Sequence, residues 1–584
     1  MEKKELLLIA TEIMLLTLLP SNPLTFDTRE VKAETQTIPP IEDLTPGYWE
    51  TSEYMIGSVA VGIILPESNG TIDPNTEDWT DEEIENVTRE INYTLNWWAS
   101  QNPNASVKFI EEIHLRVPTS YEPINRPETE TYLWISEVMD YLGYENVDYS
   151  YQVRDYVNNL RDSLGTNWAF VIFIVDSGND SDGYFAGGGC AAGVMGGPFL
   201  SMTYDNGKQY IGIENMDWVC AVEMAHCFWA DDEYFDNPTY SGYLNVSNVP
   251  HSGCLMDRFD RAHWCLSGAS HGLTGTWGQV GWRDTDGDGI QDIVDTFPRV
   301  FINTPEITRE RVNVSGTAAV TPYPNRSPSG SQRNVTINKI KSVQFRIDEE
   351  EWLNATIIPT TIQKLMRYPD TYVEKETYAI VNYTFVTPEL EPGEHFIEVK
   401  TVNSVGNEGF ANETVTIPEP THDISIKTIT PYRIVIGNNT STTINVTAEN
   451  IGDYPETFNV TLYYNTTQIG TQEVTLTTGQ STLTFNWTTP SMLGNYTLTA
   501  VASQVPGETE IEDNTLTYYP IQVSIAGDIN ADGTVNIIDI SKAAVAFQTN
   551  PGDPKWNSNA DVNEDSVINI VDISKIAIEY GKTA

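Results

Sequence analysis

Asp528-Ile-Asn-Ala-Asp-Gly-Thr-Val-Asn-Ile-Ile-Asp539 is repeated downstream as Asp561-Val-Asn-Glu-Asp-Ser-Val-Ile-Asn-Ile-Val-Asp572. Each copy places oxygen-bearing side chains at the first, third, fifth, ninth and last loop positions. These are Asp528, Asn530, Asp532, Asn536 and Asp539, then Asp561, Asn563, Asp565, Asn569 and Asp572. Such alternation lets one tight loop aim several oxygens at a single hard cation, as an EF-hand calcium loop does. The sixth position calls for glycine at the sharp turn. It is Gly533 in the first copy and Ser566 in the second, so the second loop is expected to bind calcium more weakly. Each loop runs into an apolar helix, and no helix of EF-hand type precedes it. A third stretch, Asp284 to Asp295, offers Asp284, Asp286, Asp288, Asp292 and Asp295 with the carbonyl of Ile290, and predicts a calcium-bound linker.

The paired loops, with the helices that follow them, resemble a type I dockerin over residues 525–584. The resemblance implies a small all-α calcium-binding domain and a cohesin-bearing partner protein. Ser541 and Lys542, with their repeats Ser574 and Lys575, are the candidate cohesin-binding residues. Ile537, Ile538, Ile570 and Val571 are candidates for the same face, with core packing as their alternative role.

The chain has 584 residues and a formal net charge of −50. That length predicts several domains. That charge excludes nucleic acid and anionic lipid as natural partners, and it suits bound calcium. Lys3 and Lys4 precede an apolar run, Leu6–Leu19, and Val31-Lys-Ala33 fits a cleavage site, so residues 1–33 read as a signal peptide. No later apolar stretch is long enough to span a bilayer. A secreted or cell-surface protein follows. About twenty Asn-x-Ser/Thr sequons, Asn445 and Asn459 among them, point to a glycoprotein. All five cysteines lie between Cys190 and Cys265. Cys220 and Cys227 are too far apart on one helix to pair, at roughly 1.5 Å rise per residue. Cys254 with Cys265 is the expected disulfide, and an odd count leaves one thiol over.

Residues 34–50 read as a flexible lead, and residues 51–283 alternate strand and helix patterns. Thr80-x-x-Glu83 is a capping box ahead of an amphipathic helix. A further helix, about residues 215–229, contains Val222-Glu-Met-Ala-His226. It matches the zinc-peptidase pattern His-Glu-x-x-His except at its first histidine. Asp232 follows six residues after His226, and Met256 lies downstream. Glu223, His226, Asp232 and Met256, with the order of elements, resemble the metzincin zinc peptidases. The resemblance implies an α/β head in which His226 and Asp232 bind zinc, Glu223 is the general base and Met256 forms the Met-turn. It also implies that the strand near residues 199–204, or the Gly-rich segment before it, pairs with an extended substrate. Two positions depart from the pattern. Val222 cannot bind metal, and catalytic zinc uses three protein ligands. Trp229 stands where the family turns on a glycine, which puts the approach of Asp232 at issue.

After the linker (284–300), period-2 alternation over residues 301–418 and 421–524 predicts two all-β sandwiches. The first resembles an Ig-like module. The second resembles the CARDB domain, through Glu449-Asn-Ile-Gly-Asp453, Trp487 and Gly494-Asn-Tyr496. Both are read as spacers. The expected protein is a pseudopeptidase binding an extended peptide or surface-glycoprotein ligand. The alternatives are an active zinc endopeptidase with a substitute ligand (His251, His263 or His271) and a non-enzymatic adhesion or scaffold protein.

Overall fold

The computed structural model describes residues 43–205, 212–233, 238–248, 255–256 and 275–584. The signal peptide, the Cys254–Cys265 pair and the three substitute histidines lie outside the described residues. The chain forms two compact units that divide near residue 415.

The first unit is built on a five-stranded sheet, ordered β2-β1-β3-β5-β4. Its strands are β1 (Ser58–Ser68), β2 (Lys108–Thr119), β3 (Trp168–Val175), β4 (Ala191–Gly193) and β5 (Phe199–Thr203). β4 is antiparallel to β5; the other pairings are parallel. Alternation sends β3 residues Trp168, Phe170, Ile172 and Ile174 to one face, against helices Asp81–Gln101 and Met216–Cys227. Ala169, Val171, Phe173 and Val175 go to the other, against helices Thr131–Tyr141 and Tyr149–Ser163. A strand buried on both faces reads as one apolar run, which is how β3 appears in sequence.

The expected lead is corrected from residue 43 onward. Tyr48 and Glu50 are buried, and the Tyr48 hydroxyl donates to Asp155 at 2.6 Å. Arg161 donates to the carbonyls of Gly47 and Glu50 at 2.9 and 2.8 Å, while Arg333 pairs with the Glu50 carboxylate at 2.7 Å. Buried backbone carbonyls need donors, and these distant arginines supply them.

The boundary between head and first sandwich is corrected too. Two sheets form that sandwich, one of four strands running Leu353–Asn354, Ile340–Ile347, Gly393–Asn403 and Glu408–Ile417. The other includes Arg311–Ala319 and Thr371–Val386, and Phe345 stacks on Phe385 at 3.8 Å. Residues 323–338, however, run back over the head. Val335 belongs to the head core, and the buried Tyr243 hydroxyl donates to the Tyr323 carbonyl and accepts from Val335 N–H, at 2.8 and 2.9 Å. This sandwich is joined to the head by a shared core rather than standing off as a spacer.

The second unit contains a sandwich of three and five strands. Ile444, Val446, Ala448, Phe458, Val460 and Leu462 fill its core, and Asn445 and Asn459 between them face outward. Helices Ile537–Val545 and Ile570–Ile578 follow, around a small core that includes Val535, Ala543, Ile568 and Ile576. Among the described residues, no helix is long and apolar enough to cross a membrane.

Candidate functional site: a two-donor cleft and three acidic loops

In the head, helix Met216–Cys227 carries Glu223 and His226 beside β4. β5 is paired on both sides, so the edge of the sheet on this side is β4, in the Gly-rich segment. Gly193 of β4 leaves no room for a side chain, since a Cβ there would meet the Glu223 carbonyl oxygen at 2.5 Å. His226 Nδ1 sits 2.8 Å from the Ala230 carbonyl, and Nε2 lies 3.3 Å from Asp232 Oδ1. Trp229 takes a left-handed φ of 71°, the conformation a glycine would supply, so the chain leaves the helix sharply and Asp232 does reach His226. Met256 is fully buried, and its carbonyl accepts the Glu233 N–H at 2.8 Å.

Burial pushes the Glu223 carboxyl up to about 7, and the Asp232 charge adds to this against the nearby imidazole of His226. Burial opposes charge on His226, but Asp232, Glu223 and the Ala230 carbonyl outweigh it and raise the imidazole to about 9. The arrangement is a buried charge network organised around an imidazolium.

Among the described residues it supplies two of the three protein ligands that catalytic zinc uses. Val222 is 2% exposed and belongs to the apolar core. Among the described residues, no third histidine, cysteine or carboxylate joins His226 and Asp232 in a metal-sized cluster. The charges of Glu128 and Glu223 bear on Cys190, a neighbourhood that no motif in the sequence announced. Cys190, Cys220 and Cys227 are buried free thiols, so the expected single unpaired cysteine becomes three among the described residues. Burial pushes the Cys190 thiol up to about 12, which leaves it unreactive.

The second dockerin loop and the linker gather carboxylates that fit a hard cation, whereas Asp528, Asp532 and Asp539 of the first loop do not form such a cluster. The carboxylates of Asp561, Asp565 and Asp572 lie within 4.8 Å of one another, and Asp561 and Asp572 are fully buried. Burial and the charges of Asp561 and Asp565 raise the Asp572 carboxyl, a strain that a divalent cation would relieve. Asp561 Oδ2 accepts the Ser566 N–H at 3.0 Å, as Asp528 Oδ2 accepts the Gly533 N–H at 2.9 Å. Ser566 has the positive φ (66°) that Gly533 has (85°). Asn536 and Asn569 cap the helices that follow, in capping boxes with Asp539 and Asp572. Asn530 and Asn563 turn inward to Asp532 and Asp565 at 2.9 and 2.8 Å.

In the linker, Asp284, Asp286 and Asp288 converge within 4.8 Å, and Ile290 N–H donates to Asp288 at 2.8 Å. Asp292 is held by Thr285 and Arg283, and Asp295 accepts from Asn407 at 2.7 Å. Three of the five expected carboxylates are therefore gathered.

On the following helices Ser541, Lys542, Ser574 and Lys575 are exposed. Ile537 and Ile570 are 62% and 64% exposed, and Ile538 and Val571 are also exposed. Their exposure sets aside the core alternative: both repeats present an apolar and polar face outward.

Residues 526–577 match the Dockerin type I domain, and residues 421–517 match CARDB. The chain thus carries a type I dockerin, the calcium-binding module of cohesin-docking systems, behind a CARDB domain. No curated protein matches the chain. Among solved structures, one similar chain is the CARDB domain of the PF1109 protein from Pyrococcus furiosus, in complex with di-metal ions. It is 26% identical over 18% of this chain and 96% of that one, with a TM-score of 0.17. A type II cohesin–X-dockerin complex from Acetivibrio cellulolyticus is 21% identical over 21% and 81%, with a TM-score of 0.10. Fibronectin(III)-like modules of Clostridium thermocellum CbhA are 13% identical over 38% and 91%, with a TM-score of 0.13.

Proposed function

We propose that this is a secreted or surface-associated protein that docks, calcium-loaded, onto a cohesin-bearing partner. The exposed face repeated on helices Ile537–Val545 and Ile570–Ile578 carries this reading. Each face follows directly from an acidic loop, whose carboxylates converge in the second repeat, so calcium orders the surface that docks. The test is binding of the full chain to a purified type I cohesin, with calcium and with chelator. Binding is expected only with calcium, and it should weaken when Ser541 and Ser574 are both changed to Asp. Binding that survives chelation would overturn the reading.

The head is proposed to be a metzincin-like pseudopeptidase that holds an extended peptide or glycoprotein segment along the edge of β4 without cutting it. The supporting observation is that Val222 lies in the core while His226 Nε2 faces the Asp232 carboxylate at 3.3 Å. The purified chain should hold no stoichiometric zinc and leave casein intact. Casein cleavage abolished by a zinc chelator would instead favour a working endopeptidase.

A further inference from the structure

The outer oxygen of the first carboxylate in each dockerin loop is engaged by a hydroxyl from the CARDB sandwich. Ser524, the last residue of strand Thr515–Ser524, donates Oγ–H to Asp528 Oδ2 at 2.5 Å. Tyr432, just after strand Ile424–Pro431, donates its hydroxyl to Asp561 Oδ2 at 2.5 Å and lies 3.3 Å from Ser566 Oγ.

The second loop is clamped much further. Glu564, at its fourth position, accepts from Arg433 Nε through Oε1, and from Thr443 N–H and Oγ–H through Oε2, all at 3.0 Å. The Arg433 side chain is only 3% exposed. Asn559 Oδ1 accepts the N–H groups of Ile434 and Val435 at 3.0 and 3.1 Å. The first loop has Ala531 at the fourth position and so has no carboxylate to clamp.

We propose that the CARDB sandwich supplies the outer coordination shell of the dockerin calcium loops, with Tyr432 and Arg433 seating the second loop, so that loading that loop with calcium and fixing the dockerin on the sandwich are one coupled event. The Tyr432 hydroxyl on Asp561 Oδ2, with the Asp565 N–H on Oδ1 at 3.3 Å, fixes the carboxylate's rotation in the loop. The clamp on Glu564 holds the loop in shape, although its sixth position is serine. By linkage, whatever the sandwich adds to calcium affinity, calcium adds to the hold of the sandwich on the dockerin. The dockerin is therefore presented to its partner at a set angle only when the second loop is loaded.

This inference rests on the loops binding calcium. The experiment uses the full chain, stripped with chelator and titrated with calcium in a calorimeter, as wild type, Tyr432→Phe and Glu564→Gln. Each variant is expected to weaken one site by about tenfold and leave the others in place. Hydrogen exchange gives a second readout: the amides of residues 434, 435 and 443 should be protected with calcium and lose protection on chelation. Unchanged site affinities in both variants, or protection indifferent to calcium, would overturn the inference while leaving the calcium reading intact. Absence of calcium binding in the wild type would overturn the calcium reading itself.

Discussion

Placing an imidazole at Val222 should complete a metal site for which the described residues supply two donors. Val222 and His226 are four residues apart on one helix and share a face. Asp232 already stands 3.3 Å from His226 Nε2. Val222→His would add the third donor that catalytic zinc requires. The new side chain enters a core position 2% exposed. In chelator it is a buried polar group without its partner, and should cost about 1–3 kcal/mol. For a domain of this size each kcal/mol lowers Tm by about 2–4 °C. Zinc at a hundred times its Kd returns about 2.7 kcal/mol, so the variant should regain most of the loss. The wild type should not respond. The assays are scanning calorimetry of the full chain with chelator and with zinc, and elemental analysis after gel filtration. A folded variant without zinc would refute the reasoning, as would one equivalent of zinc already present in the wild type.

Other perturbations have equally definite outcomes. Ser566→Gly should tighten the second loop by several-fold, because a side chain with left-handed φ costs about 1–2 kcal/mol and only the 3.3 Å contact with Tyr432 is lost. Gly533→Ala should weaken the first loop, since its Cβ would meet only Ala584 at 3.6 Å and the cost lies in the backbone. Calorimetric affinities moving in the same direction for both would contradict this. Chelation should unfold helices Ile537–Val545 and Ile570–Ile578, whose preceding loops bury Asp528, Asp539, Asp561 and Asp572, and far-UV dichroism reads the loss. Burial, then the charge of Glu50, pushes Glu53 up to about 8. Burial likewise pushes Glu122 and Asp176 up to about 7. The folded state holds these protons more tightly than the unfolded one, so their contribution is complete below about pH 4 and is lost as pH rises to 8. The first unit should melt higher at pH 5 than at pH 8.5, and Glu53→Gln should flatten the difference.

The dockerin was legible because a metal loop imposes its spacing within twelve consecutive residues. The CARDB strands were legible because alternation alone separates Ile444 and Val446 from Asn445. The packing of the lead was not. Tyr48 and Glu50 find Asp155, Arg161 and Arg333 far along the chain, and nothing local marks them as buried. Nor could sequence separate the apolar residues that face the dockerin's own core, such as Ile576, from those that face out, such as Ile570. Both satisfy the same helical period, and only the packed structure shows which side is covered. In the head, the donor pair was legible from spacing, whereas the turn at Trp229 was not, because a bulky residue disfavours the left-handed region and nothing local marks its use there.

The indole of Trp229 lies where side chains at two glycines would have to be. A Cβ on Gly196 would stand 2.2 Å from it, and one on Gly330 would stand 2.7 Å away. Gly196 borders the cleft, and Gly330 comes from the segment of the first sandwich that runs over the head. These three positions are consequently locked together in any history or redesign of the chain. Placing glycine at 229 alone would hollow the joint, and enlarging either glycine first would collide with the ring. Each of these single steps costs the fold, so the three positions can change only in concert. An engineer changing any one of Gly196, Trp229 and Gly330 must refit the other two with it.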